Sequence, residues 1–412
     1  MSDVLSHYQR ESQKSRETAP WIMQMQQRAE SWLLQRGFPT RKEEDWKYSK
    51  LDNFIQQRYS FDPLQVTFTA PTFFQTAIVL QNGVLSSSAL LPDGLSILPW
   101  NLAEKILQPY QSKIEQHAQA FHALNMLGMQ NPLLIHVRKS VENIPIVLSH
   151  YVDKAGVASS PRYVVLIEPG ASALIVEHYQ GTDVSYLGNT RTDLILKEKA
   201  QCTHYVIQEE GASAYHFHSL IGHLEQQAVL HSHTVSLGAA WSRNDVSVYF
   251  EHENAQAYLN GIYTPMQGQY MAQHTALYHN AGQCHSEQNY KGLVAGQAAF
   301  QGKIYVAPEA QGTEAHQYNK NLLCHPKAEV NTKPQLEIFA DDVQCSHGAT
   351  VGQIDDDMLF YMQSRGLSAE EALHFLMQAF IGENINLMPQ ESVRQWVMQQ
   401  CLQRVSLERG KI

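Results

Sequence analysis

The segment DDVQCSHGATVG, residues 341–352, carries the side chains best suited to chemistry in this chain. Cys345 and His347 stand two residues apart, so on a strand they share one face. A soft thiolate beside an imidazole suits iron, zinc or an intermediate of a metal-sulfur cluster. Packing is the competing reading, because Cys345 falls in a repeat slot that it shares with Cys202 and Cys284, where a small residue is needed simply to fit. Two further pairs, His216 with His218 and His231 with His233, have the same strand spacing, yet no carboxylate stands beside either as an evident third ligand. Phosphate loop, dinucleotide turn, zinc-protease helix and nucleophile-elbow patterns are all missing from the sequence.

Composition narrows the classes. The 412 residues are 43% hydrophobic and 17% charged, enough to bury one large core with smaller attachments. Thirty basic against 40 acidic residues give a formal charge of -10, so no general cationic field exists to hold nucleic acid. Five scattered cysteines without a C-x-x-C pair argue against both a disulfide framework and a self-contained zinc site. The N-terminus lacks the apolar core of a signal peptide, and no run approaches the roughly 18 apolar residues of a membrane span, so a cytoplasmic, soluble protein is expected.

The elements that must position Cys345 and His347 come from a repeat. A small residue, usually after Gln, opens an alternating strand seven times, at Ala173, Cys202, Val229, Ala257, Cys284, Gly312 and Cys345, at intervals of 27 to 33 residues. A second strand-like segment lies within each interval, with no room for a helix. Such a period signals a solenoid, here a right-handed parallel β-helix whose units bury their faces only by stacking. The last interval, 33, places about five extra residues in the loop around CHPKAEVNTKP. If register holds across it, Glu314 stands beside His347 as a third ligand, about 5 Å away in the adjacent coil.

Flanking segments read as helical. Trp21 to Leu34 is amphipathic, with Gly37 and Pro39 as stops, and RKEEDWKYSKLDNF leads into a second helix before a β-rich stretch from Val66 to Val79. After Gly352, Ser368 and Glu371 form a capping box, followed by Leu373, Leu376, Met377, Phe380 and Ile381 on one face, then Val393, Trp396 and Val397. That face either caps the solenoid or meets a partner. The division expected is a helix-rich N-terminal subdomain over 1–110, a β-helix core over 111–352 and a helical C-terminal subdomain over 353–412.

KPQLEIFADDVQCSHGATVGQIDDDMLFYMQSRGLS, from Lys333 to Ser368, resembles the signature of the SufB/SufD family of iron-sulfur cluster assembly scaffolds, and RKEEDWKYSKL resembles its N-terminal landmark. The likeness is to the SufD branch, because the extra cysteines of SufB are missing. It implies a non-catalytic scaffold that pairs with SufB through the C-terminal coils and binds the SufC ATPase through the C-terminal helices, with Leu373, Leu376, Met377 and Phe380 as the docking face. It also implies that His347 and Cys345 lie at the interface where a transient iron-sulfur cluster or iron is held. A reduced flavin in the complex is a further expectation of the resemblance, without residues to place it; the isolated chain is either a monomer or a homodimer paired through its SufB-binding end, as an isologous contact permits. The alternatives are a β-helix carbohydrate-active enzyme, which requires Asp and Arg clustered on one open strand face, and a histidine-based metal enzyme using the two His-x-His pairs.

Overall fold

A computed structural model describes residues 2–14, 19–49, 51, 53–62, 64, 74, 77–85, 90–116, 119–141 and 143–409. Its centre is a parallel β-solenoid of eight coils, each contributing one strand to each of two sheets. The first sheet stacks Ile146–Val152, Ser172–Gly181, Gln201–Gln208, Val229–Ser236, Gln256–Tyr263, His285–Val294, Thr313–Leu323 and Val343–Gln353. The second stacks Gln130–Val137, Pro161–Ile167, Leu187–Leu196, Tyr215–Leu224, Trp241–Phe250, Tyr270–His279, Gln297–Val306 and Glu329–Ile338. Side chains alternate between the shared interior and the outer face of each sheet, as the twofold period of a strand demands.

Register corrects the repeat. The residues that pair in one interior column are Ala173, Cys202, Leu230, Ala257, Ser286, Ala315 and Cys345. Val229, Cys284 and Gly312 stand one, two and three positions short of that column. Gly312 instead belongs to a series of left-handed turn residues, Gly170, Lys199, Gln227, Asn254, Gln283 and Gly312, with φ between 56° and 70°, each three residues before its column position. Only Gly takes such φ without cost and Asn tolerates it, so the Lys and Gln members gave no sequence signal. The extra residues do lie in the loop at 324–328: Gln297 pairs with Glu329, an offset of 32, whereas Tyr270 pairs with Gln297 at 27. A short turn at 339–342 returns most of that excess, and Ala315 meets Cys345 at an offset of 30.

Helices lie along the flanks of the solenoid. Pro20–Arg36 ends where Gly37 takes φ 71° and its N–H bonds to the Leu33 carbonyl, as the stop signals anticipate. The expected second helix is replaced by two single 3-10 turns, Glu44–Trp46 and Phe54–Gln56, because their aromatic residues plug into the second sheet. The Trp46 ring lies under the Arg243 guanidinium at 3.7 Å, and Phe54 meets Phe217 at 5.4 Å. Most of the stretch from Val66 to Val79 lies outside the described residues; Ile78–Gln81 forms a strand beside Ile146–Val152. Helix continues through Ala120–Gly128 before the second sheet's first parallel strand opens at Gln130, and the C-terminal helices begin at Asp356, just past Gln353. The N-terminal layer is fastened by Arg162 and Arg191, both fully buried around Asp193, which also bond to the carbonyls of Ile114 and Gln116. The C-terminal helices pack on the opposite flank, over the outer face of the first sheet.

The two ends of the solenoid differ. Antiparallel strands Val84–Leu85 and Leu95–Pro99 cover its N-terminal edges. At the other end Glu329–Ile338 and Val343–Gln353 are each paired on one side only, leaving a row of backbone groups open on both sheets.

Candidate functional site at the open end

Strand Val343–Gln353 brings Cys345 and His347 together on the inner face of the last coil, as their spacing requires. Cys345 pairs with buried Ala315 and packs on the apolar core; His347 pairs with buried Gln317 and is exposed, because no further coil covers it. Burial raises the Cys345 thiol above its ordinary pKa, a backbone bond to Ala315 opposing. Below His347 the interior is wet in character. Gln317 donates to Gln288 at 3.2 Å, Gln288 accepts from Thr275, and the buried Oε1 of Gln317 has no hydrogen-bond partner among the described residues. Asn319 and Asn321 continue this polar lining, bonded to each other at 2.7 Å and to Tyr263. A solenoid finished for solvent would close with a covering element; this one ends in amides, an imidazole and a thiol. Around that rim Phe339, 59% exposed, with Tyr318 and Val351, adds apolar surface.

Glu314 is not part of this site. It pairs with Gln344 and points to the outer face, opposite to His347. The Glu314 placement came from the Gly312 anchor, three residues out of register, and an odd slip moves a side chain across the sheet. On the outer face its carboxylate accepts from His316 at 3.1 Å and stands 3.4 Å from His285; the His316 hydrogen bond, then the His285 charge, hold it below the usual carboxylate range.

The other histidine pairs acquire partners that sequence reasoning missed. His216 and His218 both point into the interior, and the missing carboxylates are Glu210, 2.8 Å from His216, and Glu177, 3.4 Å from His218 and 2.8 Å from His204. Full burial acts to raise Glu177, but His218 and His204 outweigh it and hold the carboxyl well below its ordinary range. The one signal was a lone charge inside the apolar run ALIVEHY. His231 and His233 face outward, stacked on Tyr258 and Tyr205 at 4.6 and 5.2 Å. Among the described residues no three His, Cys, Asp or Glu side chains stand ready to hold a metal ion.

The docking face read from the C-terminal helix is also corrected. Leu373 and Met377 are buried against the first sheet, and Leu376 is half-buried. Phe380 is half-buried too, its ring 4.9 Å from the Lys291 ammonium. Among the described residues, the large apolar side chains left exposed on these helices are Met358, Phe360, Tyr361 and Phe375, with Phe360 at 71%. A cleft of about 360 Å³ lies between the N-terminal layer and the second sheet, its lining including Arg243, paired with Asp245, and Lys303, paired with Glu337.

Residues 150–380 match the profile described as SUF system FeS cluster assembly, SufBD core domain. Over 393 residues the chain is 31% identical to the iron-sulfur cluster assembly protein SufD of Escherichia coli K12, covering 90% of each. It is 29% identical to an iron-sulfur cluster assembly SufBD family protein of Synechocystis, covering 88% of this chain and 86% of that one. It is likewise 29% identical to the chloroplastic protein ABCI7 of Arabidopsis thaliana, covering 88% and 82%.

Proposed function

This chain belongs to the SufBD family and is a SufD-like iron-sulfur cluster assembly protein, and from that premise we propose that it is the non-catalytic scaffold subunit of a SufB-SufC-SufD complex. The observation that carries the reading is the unfinished last coil, whose open strands and apolar rim surround Cys345 and His347. A second solenoid of the same coil geometry completes both edges at once, because its own two open edge strands lie at the matching separation and can pair with these, antiparallel across a twofold contact. SufB is that second solenoid; in its absence a second copy of this chain takes its place. A thiol and an imidazole are two ligands, short of the four protein ligands that a cluster takes in total, so the partner supplies the rest. The cluster is cargo held between chains, with Cys345 and His347 as one half of its cradle.

SufC docks on the exposed side of the C-terminal helices, around Phe360, Tyr361 and Phe375, while their other side grips the solenoid. ATP hydrolysis belongs to SufC, and this chain transmits rather than catalyses. The five free cysteines suit a reducing cytoplasm. The carbohydrate-enzyme alternative needs open Asp and Arg, whereas Arg191 and Asp193 are sealed beneath the N-terminal layer.

Co-expression with SufB and SufC tests this architecture. Val351→Asp is expected to abolish SufB capture with SufC capture retained, and Phe360→Asp the reverse. Retention of both partners by both variants contradicts it.

A further inference from the structure

Gln317 is buried completely on the inner face of Thr313–Leu323, directly opposite His347 in register. Its amide is set from the side away from the open end. Nε2 donates at 3.2 Å to Gln288 Oε1, which also accepts from the Thr275 hydroxyl. Turning the Gln317 amide over would set its oxygen against that of Gln288, so this pair supports the orientation that leaves Gln317 Oε1 unengaged. Gly302 makes the room, since a Cβ there would collide with the same amide. Oε1 has no hydrogen-bond partner among the described residues, and a buried acceptor without a donor is costly. The side chain stacked over it is His347, exposed because no further coil follows, on a strand roughly 4.8 Å away.

We propose that Gln317 is a positioning residue for His347: its Oε1 accepts the Nδ1–H of the imidazole and leaves the Nε2 lone pair facing out of the open end. This rests on the reading of His347 as one ligand of the cradle between chains. A ligating imidazole offers one nitrogen as a lone pair, and the hydrogen bond made by the other decides which nitrogen that is. The choice here follows from reach. Nε2 stands farther from the backbone than Nδ1, so it is the nitrogen able to extend past the rim to a cluster shared with a partner. An unconstrained neutral imidazole carries its proton mostly on Nε2, which blocks that lone pair. An acceptor beside Nδ1 reverses the preference before the partner arrives. Because His347 is exposed, rotation of its side chain alone makes the bond, and the buried amide that receives it does not move.

Full-length protein, isotopically labelled at the histidine ring nitrogens and free of iron and partners, is read by NMR nitrogen shifts at about pH 8.5, well above the ordinary imidazole pKa. The His347 signals are assigned by their loss in His347→Gln. The wild type is expected to show the Nδ1–H tautomer at His347. Gln317→Leu shifts it to mainly Nε2–H, and Gln317→Glu, which keeps an acceptor, keeps Nδ1–H, with folding checked by the urea midpoint of the same samples. An Nε2–H tautomer in the wild type, which needs no variant, overturns the proposal, as does a tautomer unmoved by Gln317→Leu. In the three-protein complex, the iron concentration giving half-maximal cluster content rises about tenfold or more with Gln317→Leu and stays near wild type with Gln317→Glu. The tautomer is read without cluster or partner, whereas the reading of His347 stands on cluster loss in His347→Ala, so the two fail separately.

Discussion

Glu314 and His347 stand on adjacent strands and opposite faces of the same sheet: Glu314 opposes Gln344 outside, His347 opposes Gln317 inside. That single relationship divides the end of the solenoid into two chemistries. Inside the rim there are one thiol and one imidazole over a polar interior; outside there is a His/Glu patch on the two preceding strands, bonded to the edge strand through His316 and Ser346.

The five thiols should differ sharply in reactivity. Thiolate is the nucleophile, and burial lifts Cys202 and Cys401 to about 12 and Cys284 to about 11, while Cys345 is raised but half-exposed. Iodoacetamide at pH 7.5, followed by mass spectrometry, is expected to label Cys345 first yet more slowly than a free thiol, and to spare the other four, all buried, until the protein unfolds. Labelling of Cys202 or Cys401 at the rate of Cys345 in the folded chain contradicts this burial pattern.

The C-terminal helices have one face for the solenoid and one for solvent. Met377→Ala empties a fully buried position and should destabilise the chain by about 2–5 kcal/mol. Phe375→Ala, half-exposed on the same helix, should stay within about 0.5 kcal/mol. Urea midpoints decide it, and equal losses for the two would mean that the helix face is wrongly assigned.

Acid should weaken the fold before it reaches the carboxylates. Burial drives His150, His233 and His279 down to about 3, so the folded chain keeps them neutral where the unfolded chain protonates. Stability is therefore full above about pH 6.5 and falls as pH drops from there toward about 3, by up to about 1.4 kcal/mol per histidine per pH unit. Glu177, held low, keeps its own contribution above about pH 4.3 and loses it only further down. Between pH 7 and 5 the urea midpoint should fall, and His279→Gln should recover about 2 kcal/mol of that loss. A pH-independent midpoint in this range would refute the assignment of neutral buried imidazoles.

Solenoid, terminal helices and the facing of Cys345 with His347 were legible in the sequence because each rests on a local period. Register was not. Small residues also fill turns, as Gly312 does, and left-handed Lys199, Gln227 and Gln283 look like ordinary polar residues. Long-range partners were equally hidden: Glu177 reaches His218 across the interior, and nothing within a window of either reveals the other. Which face of the last helices is covered was open to either reading from amphipathicity, since a flank and a partner demand the same apolar stripe.

Co-expression of the chain with SufB and SufC, with and without His347→Ala, tests the scaffold account most directly. Complex yield and iron and sulfide content of the purified assembly are measured together. Normal assembly with cluster content reduced severalfold is the predicted result; normal assembly with wild-type cluster content would reduce Cys345 and His347 to packing residues at an architectural interface.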